Sequence, residues 1–419
     1  MGFYAISVLV MMLVINSTAV RVPLYRSSRS ASVFNPAKSA NIPITSTQAA
    51  CFMINLDVDD GTFNVMVDTG SSDTVIPVKN LNNYNGPTLD YMGQPNAKMI
   101  SGSYASKAGW TGYGLSLFVG LSGTDTTADN APIVNAIRQT ANPIFIDGQD
   151  TQGLLGLAYS AAAVYKTNPS TVMDAWVAAG QFAKNEVAFR ACPWEKESQS
   201  SIDFGNTQPV NNCGKNGSPN VWVKSPEQGL FSVDIKGISV HGTPVRLPSA
   251  FQRNGRLSII DSCTTDLKLP GNVINAIRDI MIRLGGFPPL NTARTPAPPT
   301  RPINLALLPS ITFHIATGGA MRSAPGSTIS VTIGPQQYLI YRPGYWYQMA
   351  AFRSDDDSVI LGGPFFTSLN IVHDRTNHQI GLSLGCGCDS AQEDFPKIVG
   401  TNGMQWSPKS PNGIFPPRR

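Results

Sequence analysis

Phe63-Asn64-Val65-Met66-Val67-Asp68-Thr69-Gly70-Ser71-Ser72 and Leu257-Ser258-Ile259-Ile260-Asp261-Ser262-Cys263-Thr264-Thr265 follow one pattern. Each is an apolar strand that delivers an aspartate at its end, followed by a small hydroxyl residue and a turn. The two aspartates are 193 residues apart in the 419-residue chain, the size of one lobe of a two-lobed protein. An echo follows each: Gly153-Leu154-Leu155-Gly156-Leu157-Ala158-Tyr159 after the first, and Ser358-Val359-Ile360-Leu361-Gly362-Gly363-Pro364-Phe365-Phe366 after the second. One Asp at a strand end is ordinary turn chemistry. An acid followed by an apolar-apolar-Gly element, twice over, is an internal duplication, and it predicts two similar lobes facing each other.

The same style extends outward from these stretches. Alternating apolar bursts at Phe52–Val58, Thr62–Val67, Trp110–Gly120, Glu186–Arg190, Val221–Val223, Phe231–Val240 and Ser310–Ile315 predict strands joined by tight turns. Two stretches switch to helical spacing, Thr171–Ala179 and Asn272–Arg283, and the apolar face of the second (Ile277, Met281) reads as core. Gly285–Pro302 carries six prolines and reads as a loop or insertion. The fold class is therefore mostly β, with two β-barrel-like lobes, a cleft between them and a few short helices.

Paired aspartates suit one chemistry in particular. Two carboxyls held face to face cannot both ionise, so one keeps a proton while the other stays charged. The ionised member can take a proton from a water between them, and the protonated member can hydrogen-bond the carbonyl under attack. Peptide hydrolysis then needs no metal, cofactor, histidine or covalent intermediate. The hydroxyls of Thr69 and Ser262 are positioned to tie the two turns together.

Composition narrows the alternatives. A net charge of +4 with only 14% charged residues gives no concentrated basic face, which argues against nucleic-acid binding. Four histidines and no C-x-x-C or H-E-x-x-H exclude a His-rich metal site and a thioredoxin-like one. Gly381-Leu382-Ser383-Leu384-Gly385 fits G-x-S-x-G, but Cys386-Gly387-Cys388 follows instead of a helix, and no histidine comes later. The eleven-residue apolar run Ala5–Ile15, ahead of Asn16-Ser17-Thr18-Ala19, reads as a signal peptide over residues 1–19 and is too short to span a bilayer. Six cysteines suit an oxidising compartment, Cys386-Gly387-Cys388 is read as disulfide rather than metal chemistry, and Asn216-Gly217-Ser218 is a glycosylation sequon.

In chain order these motifs resemble the pepsin-like aspartic peptidases, and within them the memapsin (beta-secretase) branch. The likeness rests on both Asp turns, the Gly-Leu-Leu-Gly-Leu-Ala-Tyr run and Leu267-Lys268-Leu269-Pro270. It continues through Gly334-Pro335-Gln336-Gln337-Tyr338-Leu339, Val359-Ile360-Leu361-Gly362, Ile371-Val372-His373-Asp374-Arg375 and Gln379-Ile380-Gly381. The resemblance implies an acid endopeptidase with Asp68 and Asp261 as its catalytic pair. Thr69, Ser262, Gly70 and Cys263 would support their geometry, and Tyr104 would be the flap residue that closes over substrate. It implies a basic pro-segment over residues 20–45 that covers the cleft. Lobes over 46–225 and 226–388 and a polar, Pro-rich tail over 389–419 complete the division. It implies protein or peptide substrates, no cofactor or metal, no stable membrane anchor, a monomer, and secretion or delivery to an acidic vacuolar or lysosomal compartment. It also implies that Cys192 pairs with Cys386 or Cys388; the other cysteines match no family pairing.

One residue departs from the pattern. Cys263 stands where the family has glycine, directly after Asp261-Ser262. Its Cβ and thiol could tilt Asp261 or crowd the water, or the thiol could form a disulfide at the site. That departure supports a competing reading, a catalytically impaired fold used as a binding or inhibitor-like protein.

Overall fold

Period-two alternation buries Phe52, Ile54, Leu56 and Val58 along the strand Phe52–Val58 and leaves Asn55 in solvent. This strand turns at Asp59-Asp60 and pairs antiparallel with Gly61–Asp68, Phe52 opposite Val67 and Val58 opposite Gly61. The computed structural model describes residues 20–23, 25–26, 51–90, 97–146, 151–192, 200–205, 218–252, 257–283, 307–318, 327–342, 346–354, 358–384, 395–401, 403 and 405–406. Over these residues the protein is mostly β and bilobal.

The N-terminal lobe is built on an eight-stranded sheet. From one edge it runs Tyr25–Arg26, Phe52–Val58, Gly61–Asp68, Gly153–Gly156, Val75–Pro77, Thr127–Gln139, Gly109–Leu121 and Met99–Ser103. The C-terminal lobe divides the same task between a five-stranded sheet carrying Ser258–Ile260 and a six-stranded one carrying Ile235–Val240 and Ile311–Ala316. A further six-stranded sheet joins the lobes, in the order Val20–Pro23, Ser201–Phe204, Glu186–Arg190, Leu369–Asp374, Gln379–Leu384 and Val221–Lys224.

The echoes seen in the sequence have a structural cause. Gly153–Gly156 runs parallel to Gly61–Asp68 with Gly156 level with Asp68, and Ile360–Leu361 runs parallel to Ser258–Ile260. In each lobe the strand that follows the Asp turn returns antiparallel on the other side of the echo: Val75 against Leu154, Leu267 against Leu361. Each echo is thus wedged between the two arms of its turn, which is why its glycines matter. A Cβ on Gly156 would lie 2.4 Å from the Ser72 carbonyl carbon, and one on Gly362 would lie 2.2 Å from the Thr264 oxygen.

Both helices form where the spacing predicts. Val172–Ala178 starts on Thr171, whose hydroxyl accepts the Asp174 N–H, and it buries Met173 and Trp176. Gly271–Arg283 buries Val273, Ile274, Ile277, Ile280 and Met281 along one stripe.

Two segments differ from the sequence reading. The burst Phe231–Val240 is two strands, Ser232–Val233 and Ile235–Val240, in different sheets. The break falls at Asp234, beside which Gln252 accepts the Ile235 N–H. The expected tail over 389–419 is not wholly a tail. Lys397–Val399 pairs with the strand Thr328–Ile333 and with Gln405–Trp406, and Ile398 is buried in the core. The apolar residues of this stretch, Ile398 and Val399 side by side and the rest scattered, give no alternation to read. The expected signal peptide, the loop Gly285–Pro302 and the sequon at Asn216 lie outside the described residues. Among the described residues no helix is long and apolar enough to cross a membrane.

Candidate active site

The two Asp turns meet where the lobes face each other. The Thr69 N–H donates to the Ser262 hydroxyl at 3.0 Å, and the Ser262 N–H donates to the Thr69 hydroxyl at 2.9 Å. Each hydroxyl then donates back beneath the other turn, Thr69 to the Ile260 carbonyl at 3.0 Å and Ser262 to the Val67 carbonyl at 2.7 Å. All four groups are buried, so every donor and acceptor in this cross-link is satisfied within the protein.

Above the cross-link lie the carboxylates. Asp68 Oδ1 accepts the Gly70 N–H at 2.8 Å, and the Ser71 hydroxyl donates to Oδ2. Asp261 Oδ1 accepts the Cys263 N–H at 2.9 Å and the Thr264 N–H at 3.2 Å, while the Thr264 hydroxyl donates to Oδ2 at 2.6 Å. A Cβ on Gly70 would sit 2.8 Å from Asp261 Cγ, so the first turn lies directly against the second carboxyl. Burial, and then the charge of neighbouring Asp261, push the Asp68 carboxyl well above its ordinary range, against the opposing pull of Ser71 and Gly70.

Tyr104 lies in the turn between the hairpin strands Met99–Ser103 and Gly109–Leu121, with its backbone tied to Ala108 and Lys107. Its hydroxyl accepts the Trp110 indole N–H at 3.1 Å. Burial, and then the nearby Asp68 charge, push its phenol far up, so the ring stays neutral near Asp68. Trp110 is itself buried. The side chains of Tyr345-Trp346-Tyr347 lie outside the described residues.

Cys263 is not a free thiol: it is disulfide-bonded to Cys51, with Cα atoms 4.4 Å apart. Its backbone N–H stays on Asp261, so the carboxylate keeps the support a glycine would give it. Cys192 is also disulfide-bonded, and its expected partners Cys386 and Cys388 lie outside the described residues.

Three contributors went unnoticed in the sequence. Ser71 and Thr264 were visible there: the third residue after each Asp is a hydroxyl, and each bonds its carboxylate. Cys51 carried no local signal. Among the described residues no group of three or more His, Cys, Asp or Glu gathers as a metal cage. Two hydrogen-bonded carboxyls with a neutral phenol nearby can hold one proton between them and polarise a water, which is acid–base chemistry without a nucleophilic side chain. A family model described as eukaryotic aspartyl protease matches residues 53–384.

Proposed function

This chain belongs to the eukaryotic aspartyl protease family, and on that premise we propose that it is an acid endopeptidase using Asp68 and Asp261 as a shared-proton dyad. The observation that carries the reading is the pair of supported carboxylates cross-linked through Thr69 and Ser262. With one proton on the pair, the ionised carboxylate takes a proton from a water between the two as its oxygen attacks the scissile carbonyl. The protonated carboxyl hydrogen-bonds the carbonyl oxygen and stabilises the charge that develops there. Collapse of the tetrahedral diol passes a proton to the leaving amine and restores the pair. Tyr104 closes over the substrate from the hairpin tip. Loss of the shared proton stops the reaction, so that proton sets the upper limb of the pH–rate profile.

The impaired-fold alternative drew on Cys263 alone. The retained Cys263 N–H bond to Asp261 supports the catalytic reading instead.

We extend the proposal to a secreted zymogen, delivered outside the cell or to an acidic vacuolar or lysosomal compartment, with residues 20–45 as its pro-segment. Val20–Pro23 is supporting: it pairs with Ser201–Phe204 as the edge strand of the sheet that joins the lobes. Val20–Pro23 and Tyr25–Arg26 each lie at the edge of a sheet. The likeness to the memapsin branch belongs to the same proposal and rests on sequence motifs such as Leu267-Lys268-Leu269-Pro270. Cleavage of denatured globin at acid pH, blocked by a transition-state mimic of the dyad, tests the activity. N-terminal sequencing of the active form tests the zymogen, which fails if the active chain still begins near Val20.

A further inference from the structure

The third position of the two turns is where they part. Gly70 has no room for a side chain, because a Cβ there would meet the Asp261 carboxyl. Cys263 holds the corresponding place in the second turn, its N–H on Asp261 Oδ1 as the Gly70 N–H is on Asp68 Oδ1. A side chain at that place starts out beside the dyad and has to be led away from it. The Cys263 sulfur is bonded to Cys51, 212 residues earlier, and lies 3.9 Å from the Met66 sulfur. Cys263 packs against the apolar cluster of Cys51, Met53, Met66, Val75 and Leu154 in the N-terminal lobe. Phe52 is the strand partner of Val67, so Cys51, one residue back, comes level with Asp68. One covalent cross-link therefore ties the strand beside the first carboxylate to the turn residue two past the second.

We infer that the Cys51–Cys263 disulfide is a positioning element of the dyad, fixing the second Asp turn on the N-terminal lobe and keeping the Cys263 side chain clear of the carboxyls. The inference rests on the dyad reading above. Without the bond, Cys263 becomes a free thiol whose rotation about Cα–Cβ can bring its sulfur back towards Asp261. The turn is then held across the lobe boundary by the Thr69–Ser262 hydrogen bonds. A shift of about 1 Å in a reacting group is enough to cost about a hundredfold in rate.

The test uses the full chain, activated at acid pH, with and without a water-soluble phosphine. The phosphine delivers two electrons, with two protons from solvent, and leaves as its oxide after taking up a water oxygen; the products are two thiols, counted by alkylation and mass. Reduction is expected to lower kcat by about 10- to 100-fold with KM within about twofold, and to move the limbs of the pH–rate profile. Cys51→Ser should do the same without reductant. Cys51→Ser with Cys263→Gly should recover about tenfold over Cys51→Ser alone, since glycine has no side chain to restrain, and should ignore the reductant. That double variant keeps the Cys192 bond, so loss of its activity on reduction would assign the effect to another disulfide and overturn the inference. A cross-link that only stabilises the fold would lower the melting temperature and leave kcat and both limbs in place; that result also overturns it. Oxidised wild type with no inhibitor-sensitive cleavage would overturn the dyad reading and this inference together, an outcome distinct from equal activity in the oxidised and reduced forms.

Discussion

Asp68 and Asp261 each accept an N–H from the residue two further on and a hydroxyl from the residue three further on, yet their surroundings differ. Asp68 is buried; Asp261 is half-buried and takes a second N–H, from Thr264. One turn bares its backbone through Gly70 to the opposite carboxyl, while the other carries Cys263 and a bond to the far lobe. Two copies of one motif thus share a hydrogen-bond plan without sharing an electrostatic environment. The hydrogen bonds come from the local sequence, while burial and tethering come from what each lobe brings to the boundary.

The largest expected effect tests whether the two turns are equivalent in chemistry. Asp68→Asn and Asp261→Asn should each lower kcat on denatured globin by about 10³- to 10⁴-fold, because either removes half of a shared-proton pair. Near-native turnover in either one would break the comparison at its root. Next comes the third position. Gly70→Ala should cost about a hundredfold in kcat, because its methyl would press on the Asp261 carboxyl; a fully active Gly70→Ala would mean that the turns tolerate side chains alike.

Smaller effects concern stability. Thr69→Val and Ser262→Ala each remove a buried hydroxyl that both donates and accepts, so each should lower unfolding free energy by about 2 kcal/mol in denaturant titrations. Unequal losses would show that one turn leans on the other.

The least of the effects is one of pH, and its sign separates the dyad from a third buried group. Asp68 keeps its proton in the folded state to a higher pH than in the unfolded chain, which releases it near 3.8. The stability tied to that proton is fully present below 3.8 and falls as pH rises, so Asp68→Asn should be the more stable protein at neutral pH. His373 runs the other way. It is buried among Phe189, Phe231 and Phe366, and burial lowers its pKa from 6.5 to about 3. The unfolded chain takes up a proton below about 6.5 while the folded one refuses it, so stability is lost as pH falls from 6.5 towards 3. His373→Phe should therefore stabilise the protein by about 1–2 kcal/mol at pH 4 and leave it unchanged at pH 8, as melting curves at both values would show.

Much of this was legible in the sequence because the relevant forces act over short stretches of chain. Alternation marked Phe52–Val58 and Glu186–Arg190, and helical spacing marked Val273, Ile277 and Met281. The echo glycines were visible as pattern, though their role, admitting a strand between the arms of each turn, was not. What escaped depends on partners far away in sequence. Cys51 meets Cys263 across 212 residues, and no local feature of either picks out the other among six cysteines. Lys397–Val399 is a strand because Thr328–Ile333 offers it an edge, not because its own residues demand one.

The sheet shared by the two lobes and the Cys51–Cys263 bond between them also constrain how the lobes can move. Two rigid bodies free of each other have six relative degrees of freedom. The strands Glu186–Arg190 and Leu369–Asp374, paired residue for residue, act as a stiff plate along one margin and resist sliding and shear. Cys51–Cys263 adds a pin at a second point. A plate and a pin leave one easy motion, a rocking of the lobes about the line that joins them. Points on that line stay put while points far from it swing widely, so the jaws can open to substrates of different girth while the separation of Asp68 and Asp261, beside the pin, hardly changes.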